Sequence, residues 1–96
     1  MAHISTVPDD LAKSGWHMAP EGLAILKTFK FASFADAMAF MLRVSYAAEA
    51  ADHHPEWTNV YNRVDVRLTT HDAGGLTQKD ILLAQAMESC SIALQP

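Results

Sequence analysis

From Val64 to Thr70 the chain alternates without a break, with Val64, Val66, Leu68 and Thr70 on one side and Asp65, Arg67 and Thr69 on the other. Period-two alternation is the mark of a strand with one buried and one wetted face, and such strands belong to antiparallel sheets covered on one side only. The rest of the chain must supply that cover. Its 96 residues fit one domain spanning positions 1–96, and a domain of this size buries only roughly 60% of the surface its unfolded chain exposes. One core is the limit.

The cover is readable on both sides of the strand. Ser33 is placed to cap a long helix in which Phe34, Ala37, Met38, Met41, Ser45 and Ala48 follow helical spacing, flanked by Phe40, Val44 and Ala47. Its apolar face is wide enough to meet the sheet on one side and another subunit on the other. Pro55 disfavours helical geometry at His54, so the helix is expected to end near Asp52 or His53. Trp57–Tyr61 then reads as a strand, joined by a tight connection at Asn62 and Arg63 to the alternating strand.

Asp72 to Gly75 is expected to form a flexible loop, and Thr77 followed by Asp80 resembles a capping box opening a last helix with Leu83, Met87, Cys90 and Leu94 on one side. Toward the N-terminus, Thr6, Pro8, Asp9 and Asp10 predict a short helix capped by Thr6 and stopped by Gly15. A strand begins at Trp16 and turns at residues 20–22. A second strand runs over Leu23–Phe31, with Leu23, Ile25, Phe29 and Phe31 on one face and Lys27 carrying its stem across it. The predicted class is α+β, in the order α-β-β-α-β-β-α, with a four-stranded antiparallel sheet and the helices packed on one face.

Composition narrows the function. A net charge of −4 with seven scattered basic residues argues against direct nucleic-acid binding or attraction to anionic membrane. No apolar run approaches the ~20 residues of a membrane span, and the first residues lack the pattern of a secretory signal, so a cytoplasmic location is expected. The single cysteine, Cys90, is expected to pack in the core and offers no disulfide framework.

Five histidines are more informative. His53 and His54 fall where a helix gives way to Pro55, and His71 falls just beyond a strand end. Element ends suit active sites because packed structure holds what loops present. Glu49, four residues before His53, is placed to orient that ring if the helix reaches so far, with Asp52 and Asp80 as further candidates. Three imidazoles around one pocket suit a reaction that protonates a hydroxyl and removes a proton from a neighbouring nitrogen, as loss of water does. The bland readings stand beside this one: a histidine pair before proline is also a common solvated turn, His71 is also a plausible strand terminator, and three histidines also suit zinc.

The run Ala48–Arg63, with His53-His54-Pro55-Glu56-Trp57 at its centre, continues through Thr70-His71-Asp72-Ala73-Gly74-Gly75-Leu76-Thr77 to Asp80. It resembles the pterin-4a-carbinolamine dehydratases, and the likeness extends from about Leu11 onward. The resemblance implies dehydration of 4a-hydroxytetrahydrobiopterin, the product left by aromatic amino-acid hydroxylases, to the quinonoid dihydropterin. It maps the family's three active-site histidines onto His53, His54 and His71, sets Pro55 against the substrate, and lines the pocket with Thr70, Asp72 and Ala73. Glu49, Trp57 and Asp80 are added as supporting or wall residues. No metal or organic cofactor is expected. His53 and His71 are expected to form the acid/base pair, with His54 binding the pterin.

Other family members act as dimerisation partners of a transcription factor, and the family's folds assemble as homodimers or homotetramers. The contrasting reading is therefore a protein-interaction module or transcriptional coactivator with a vestigial or secondary pterin pocket, serving a regulatory or hydroxylase partner. A zinc hydrolase is the third.

Overall fold

A computed structural model describes residues 3–92 and 94. The elements in chain order are α1 (Asp9–Lys13), β1 (His17–Met18), β2 (Ile25–Lys30), α2 (Phe34–Ala51), β3 (Glu56–Val60), β4 (Arg63–Leu68), a single 3₁₀ turn (His71–Ala73) and α3 (Gln78–Ser91). The strands form one antiparallel sheet in the order β1-β2-β4-β3, so the alternating segment, β4, is central. Class and element order are as the sequence predicts. Among the described residues no helix is long and apolar enough to cross a membrane.

The core forms where the sheet's apolar face meets the helices. Val64, Val66 and Leu68 from β4 and Ile25 and Phe29 from β2 are buried there, with Ala37, Phe40, Val44 and Ala48 from α2 and Ile81, Leu83, Ala84 and Met87 from α3. Phe40 sits at its centre, its ring centroid 4.7 Å from Phe29, 5.0 Å from Phe31 and 6.5 Å from Trp57. A large apolar side chain buried this way contributes roughly 1.5–3 kcal/mol. Lys27 shares the face, and its charge is accommodated: Nζ donates to Glu88 on α3 at 2.6 Å and lies 4.3 Å from the Phe29 ring centroid. Trp16 Nε1 donates to the same carboxylate oxygen at 2.9 Å, so α3 is tied to both early strands' surroundings.

Several local expectations are corrected. The N-cap of α1 is Pro8, not Thr6, and no side chain caps it; proline forces Val7 out of helical geometry, so the helix starts after it. Leu23 is exposed, because β2 begins only at Ile25. The hairpin turn is Tyr61-Asn62, since Val60 pairs with Arg63. The 72–75 segment is no open loop: Gly74 closes the 3₁₀ turn in left-handed geometry, and Gly75 bridges back to Thr70. On α2 the buried stripe is Ala37, Phe40, Val44 and Ala48, and Phe34 stands outside it.

Candidate active site

Two chain ends meet at one edge of the molecule. The first is the C-terminus of α2, where Asp52 takes left-handed geometry (φ 50°, ψ 46°). The backbone N–H of Asp52 reaches the Glu49 carbonyl and that of His53 reaches the Ala48 carbonyl, both at 3.1 Å. This pair of bonds is a Schellman ending, which satisfies two helix carbonyls and reverses the chain. It turns His53 inward and leaves His54 outside.

The second end is the exit of β4, where Thr70 is buried and the 3₁₀ turn lifts His71 into solvent. Between them lies a cleft of about 210 Å³ lined by Asp52, His53, His54, Thr69, Thr70, His71, Asp72 and Lys79. A larger hollow, about 510 Å³, spreads over the sheet's open face instead, around Leu26, Thr28, Thr58 and Arg67. It holds none of His53, His54 and His71, whereas the smaller cleft gathers all three.

Each of the three imidazoles faces a carboxylate. His53 Nε2 lies 2.6 Å from Oδ1 of Asp80, which is fully buried. The other Asp80 oxygen accepts from Thr70 Oγ1 at 2.8 Å and from the Thr77 backbone N–H at 3.0 Å. An ionised carboxylate only accepts, so the His53 ring donates its Nε2–H, and the neutral ring carries its lone pair on Nδ1. Nδ1 has no partner among the described residues, and no sealed side-chain nitrogen or oxygen among them lacks one. The His53 residue itself lines the cleft, which leaves Nδ1 as the ring nitrogen available to a bound molecule.

His54 Nε2 lies 2.6 Å from Glu49 Oε1, with both groups mostly exposed. His71 Nε2 lies 3.0 Å from Glu56 Oε2, and its ring is 80% exposed. Arg67 sits behind Glu56 at 3.6 Å and pairs more closely, at 2.6 Å, with Glu21. That contact, together with a hydrogen bond to its own backbone, holds the Glu21 carboxyl below its ordinary value. Among the described residues no three His, Cys, Asp or Glu side chains converge on a point where one ion would fit.

The family model described as pterin 4 alpha carbinolamine dehydratase matches residues 3–90. The chain belongs to this family. A Rhizobium johnstonii protein named "Putative pterin-4-alpha-carbinolamine dehydratase" is 58% identical over 78 residues, covering 81% of this chain and 77% of its own. The crystal structure of a transcriptional coactivator/pterin dehydratase from Brucella melitensis superposes with a TM-score of 0.80 at 42% identity, over 85% of this chain and 89% of its own. A pterin dehydratase-like protein identified as a RuBisCO assembly factor in the alpha-carboxysome has the same fold, with a TM-score of 0.70 at 18% identity, over 81% of this chain and 90% of its own.

The cleft gathers His53, His54, His71, Thr70 and Asp72, which the sequence groups as site candidates. Asp80 lies beneath His53, and Pro55 leads from the histidine pair into β3. Three residues fall elsewhere. Glu49 pairs with His54 rather than His53, because the left-handed Asp52 breaks the helical spacing on which its expected partnership depends. Trp57 points to the core, where its ring packs against Phe40. Ala73 turns its carbonyl to His3 Nε2 at 2.5 Å and does not line the cleft. Sequence reasoning misses Glu56 and Lys79. The signal for Glu56 is its place at the start of β3 beside the histidine pair; Lys79 carries none.

Proposed function

We propose that this protein dehydrates 4a-hydroxytetrahydropterins, of which 4a-hydroxytetrahydrobiopterin from an aromatic amino-acid hydroxylase is the expected physiological example. In this reaction the C4a–O bond breaks as the hydroxyl takes up one proton and departs as water, a proton leaves N5, and the C4a–N5 double bond forms. An acid must serve the oxygen and a base the nitrogen. Membership of the family supports the reaction class. The observation that carries the assignment to particular groups is His53: its Nε2 is anchored on buried Asp80 while its ring lines the cleft.

In this mechanism His53 and His71 form the acid/base pair, acting from the floor and the rim of the cleft. His54, beside them, binds the pterin ring and assists loss of the N5 proton. Positioned acid/base groups of this kind typically contribute ~100- to 10,000-fold. The chemistry calls on no bound metal or organic cofactor. Wild-type protein treated with chelator is expected to accelerate quinonoid dihydropterin formation from freshly generated 4a-hydroxytetrahydropterin. A rate equal to that of buffer contradicts the proposal.

A second, compatible reading is self-association. Phe34, Met38, Leu42 and Tyr46 lie four residues apart along the outer ridge of α2. Phe34, Leu42 and Tyr46 are 50%, 59% and 73% exposed. An apolar ridge on a surface helix suits a second copy of this chain as its cover, and an assembly of that kind is also compatible with a regulatory partner.

A further inference from the structure

The hydrogen bonds beneath His53 have a direction. Thr70 Oγ1 has one hydrogen and lies 2.8 Å from Asp80 Oδ2 and 2.7 Å from Thr77 Oγ1. If Thr70 donated to Thr77, two lone-pair-bearing oxygens, Thr70 Oγ1 and fully buried Asp80 Oδ2, would face each other at 2.8 Å with no hydrogen between them. Thr70 therefore donates to Asp80 and accepts from the Thr77 hydroxyl. Thr77 Oγ1 in turn accepts from the Lys79 backbone N–H at 3.3 Å. The chain of donors runs from the first turn of α3 through Thr77 and Thr70 into Asp80, where it meets the His53 ring from the other side.

Thr77 is at once the N-cap of α3 and the head of this chain. It is buried and does not line the cleft. We infer that Thr77 is a positioning residue for His53: its hydroxyl fixes the Thr70 rotor, Thr70 and the Thr77 N–H together fix the Asp80 carboxylate, and Asp80 selects the His53 tautomer with Nδ1 free. This inference rests on the dehydratase reading for its kinetic consequence but not for its structural one. A cap alone needs only an acceptor for the helix N–H, whereas the positioning role also needs the donor.

The test compares Thr77→Val and Thr77→Ser with wild type, by steady-state dehydration kinetics and by ¹⁵N NMR of the histidine side chains. Misplaced reacting groups lose roughly ten- to a hundredfold in rate. Thr77→Val is expected to lose about that in kcat with KM within about twofold, as befits a residue that never touches substrate. Thr77→Ser, which keeps the hydroxyl, is expected to restore the rate to within about threefold of wild type. In wild type and Thr77→Ser at pH 8.5 the neutral His53 is expected to carry its proton on Nε2, and in Thr77→Val both tautomers are expected to appear.

A folded Thr77→Val protein with wild-type kcat and a single His53 tautomer overturns the inference. Should Thr77→Val fail to fold, the wild-type spectrum still decides, because a His53 proton on Nδ1 overturns it as well. If wild type shows no dehydratase activity while the His53 tautomer still follows the Thr77 hydroxyl, the reaction assignment fails and the positioning role stands.

Discussion

Asp80 serves two tasks with one side chain. As the third residue of α3 it closes a capping box with Thr77, and as a buried acceptor it anchors the His53 ring. A buried carboxylate is costly unless its oxygens are satisfied, and here both accept hydrogen bonds. Cys90, near the end of the same helix, is the contrasting case. Burial pushes its thiol up from the ordinary value of 9.0, outweighing the opposite pull of the Arg43 charge. A group raised in the folded state stabilises the fold below its unfolded value, and that contribution is lost as pH climbs through the folded one. The native protein is therefore expected to react with iodoacetamide at pH 8 more slowly than the urea-unfolded chain, and its melting point to fall more above pH 9 than that of Cys90→Ser. Equal alkylation rates would contradict this. At this scale the three histidines and Asp80 are legible in the sequence, but their pairing is not. His53 meets a residue 27 positions away, and only the folded chain end shows which imidazole takes Glu49.

The ends of α2 decide where the site falls. Ser33 accepts the Asp36 N–H at 3.1 Å at one end, as its residue type and position predict. At the other, the stop enforced by Pro55 is visible in the sequence, while the left-handed residue is not: helices usually place glycine or asparagine there, and this chain uses Asp52. Left-handed geometry costs a non-glycine residue roughly 1–2 kcal/mol, part of which glycine recovers after its greater unfolded-state entropy is counted. Asp52→Gly is expected to raise the unfolding free energy by about 0.5–1 kcal/mol, read from urea midpoints, and a loss of stability would contradict the Schellman account. The 72–75 segment escapes sequence reading for a related reason. Gly74-Gly75 signals flexibility in isolation, yet the Gly74 left-handed turn and the Thr70–Gly75 bridge use that freedom to lock the loop.

At the scale of the whole molecule, the alternating strand limits the architecture: β4 has one apolar face, and the helices must cover it. That much follows from periodicity. The sheet order, with β2 rather than β3 between β1 and β4, depends on pairings that no local pattern encodes. The same arrangement leaves the α2 ridge uncovered. Wild-type protein at micromolar concentration is expected to sediment as a dimer or larger, and Leu42→Glu with Tyr46→Glu to sediment as a smaller species; a monomeric wild type would contradict self-association. The central claim is that histidines of the cleft carry the dehydration. It is tested most directly by single-turnover dehydration of 4a-hydroxytetrahydropterin with chelator-treated wild type, His53→Ala and His71→Ala, each verified as folded. The account predicts that each substitution slows the reaction by roughly a hundredfold or more, whereas folded variants that retain the wild-type rate would contradict it.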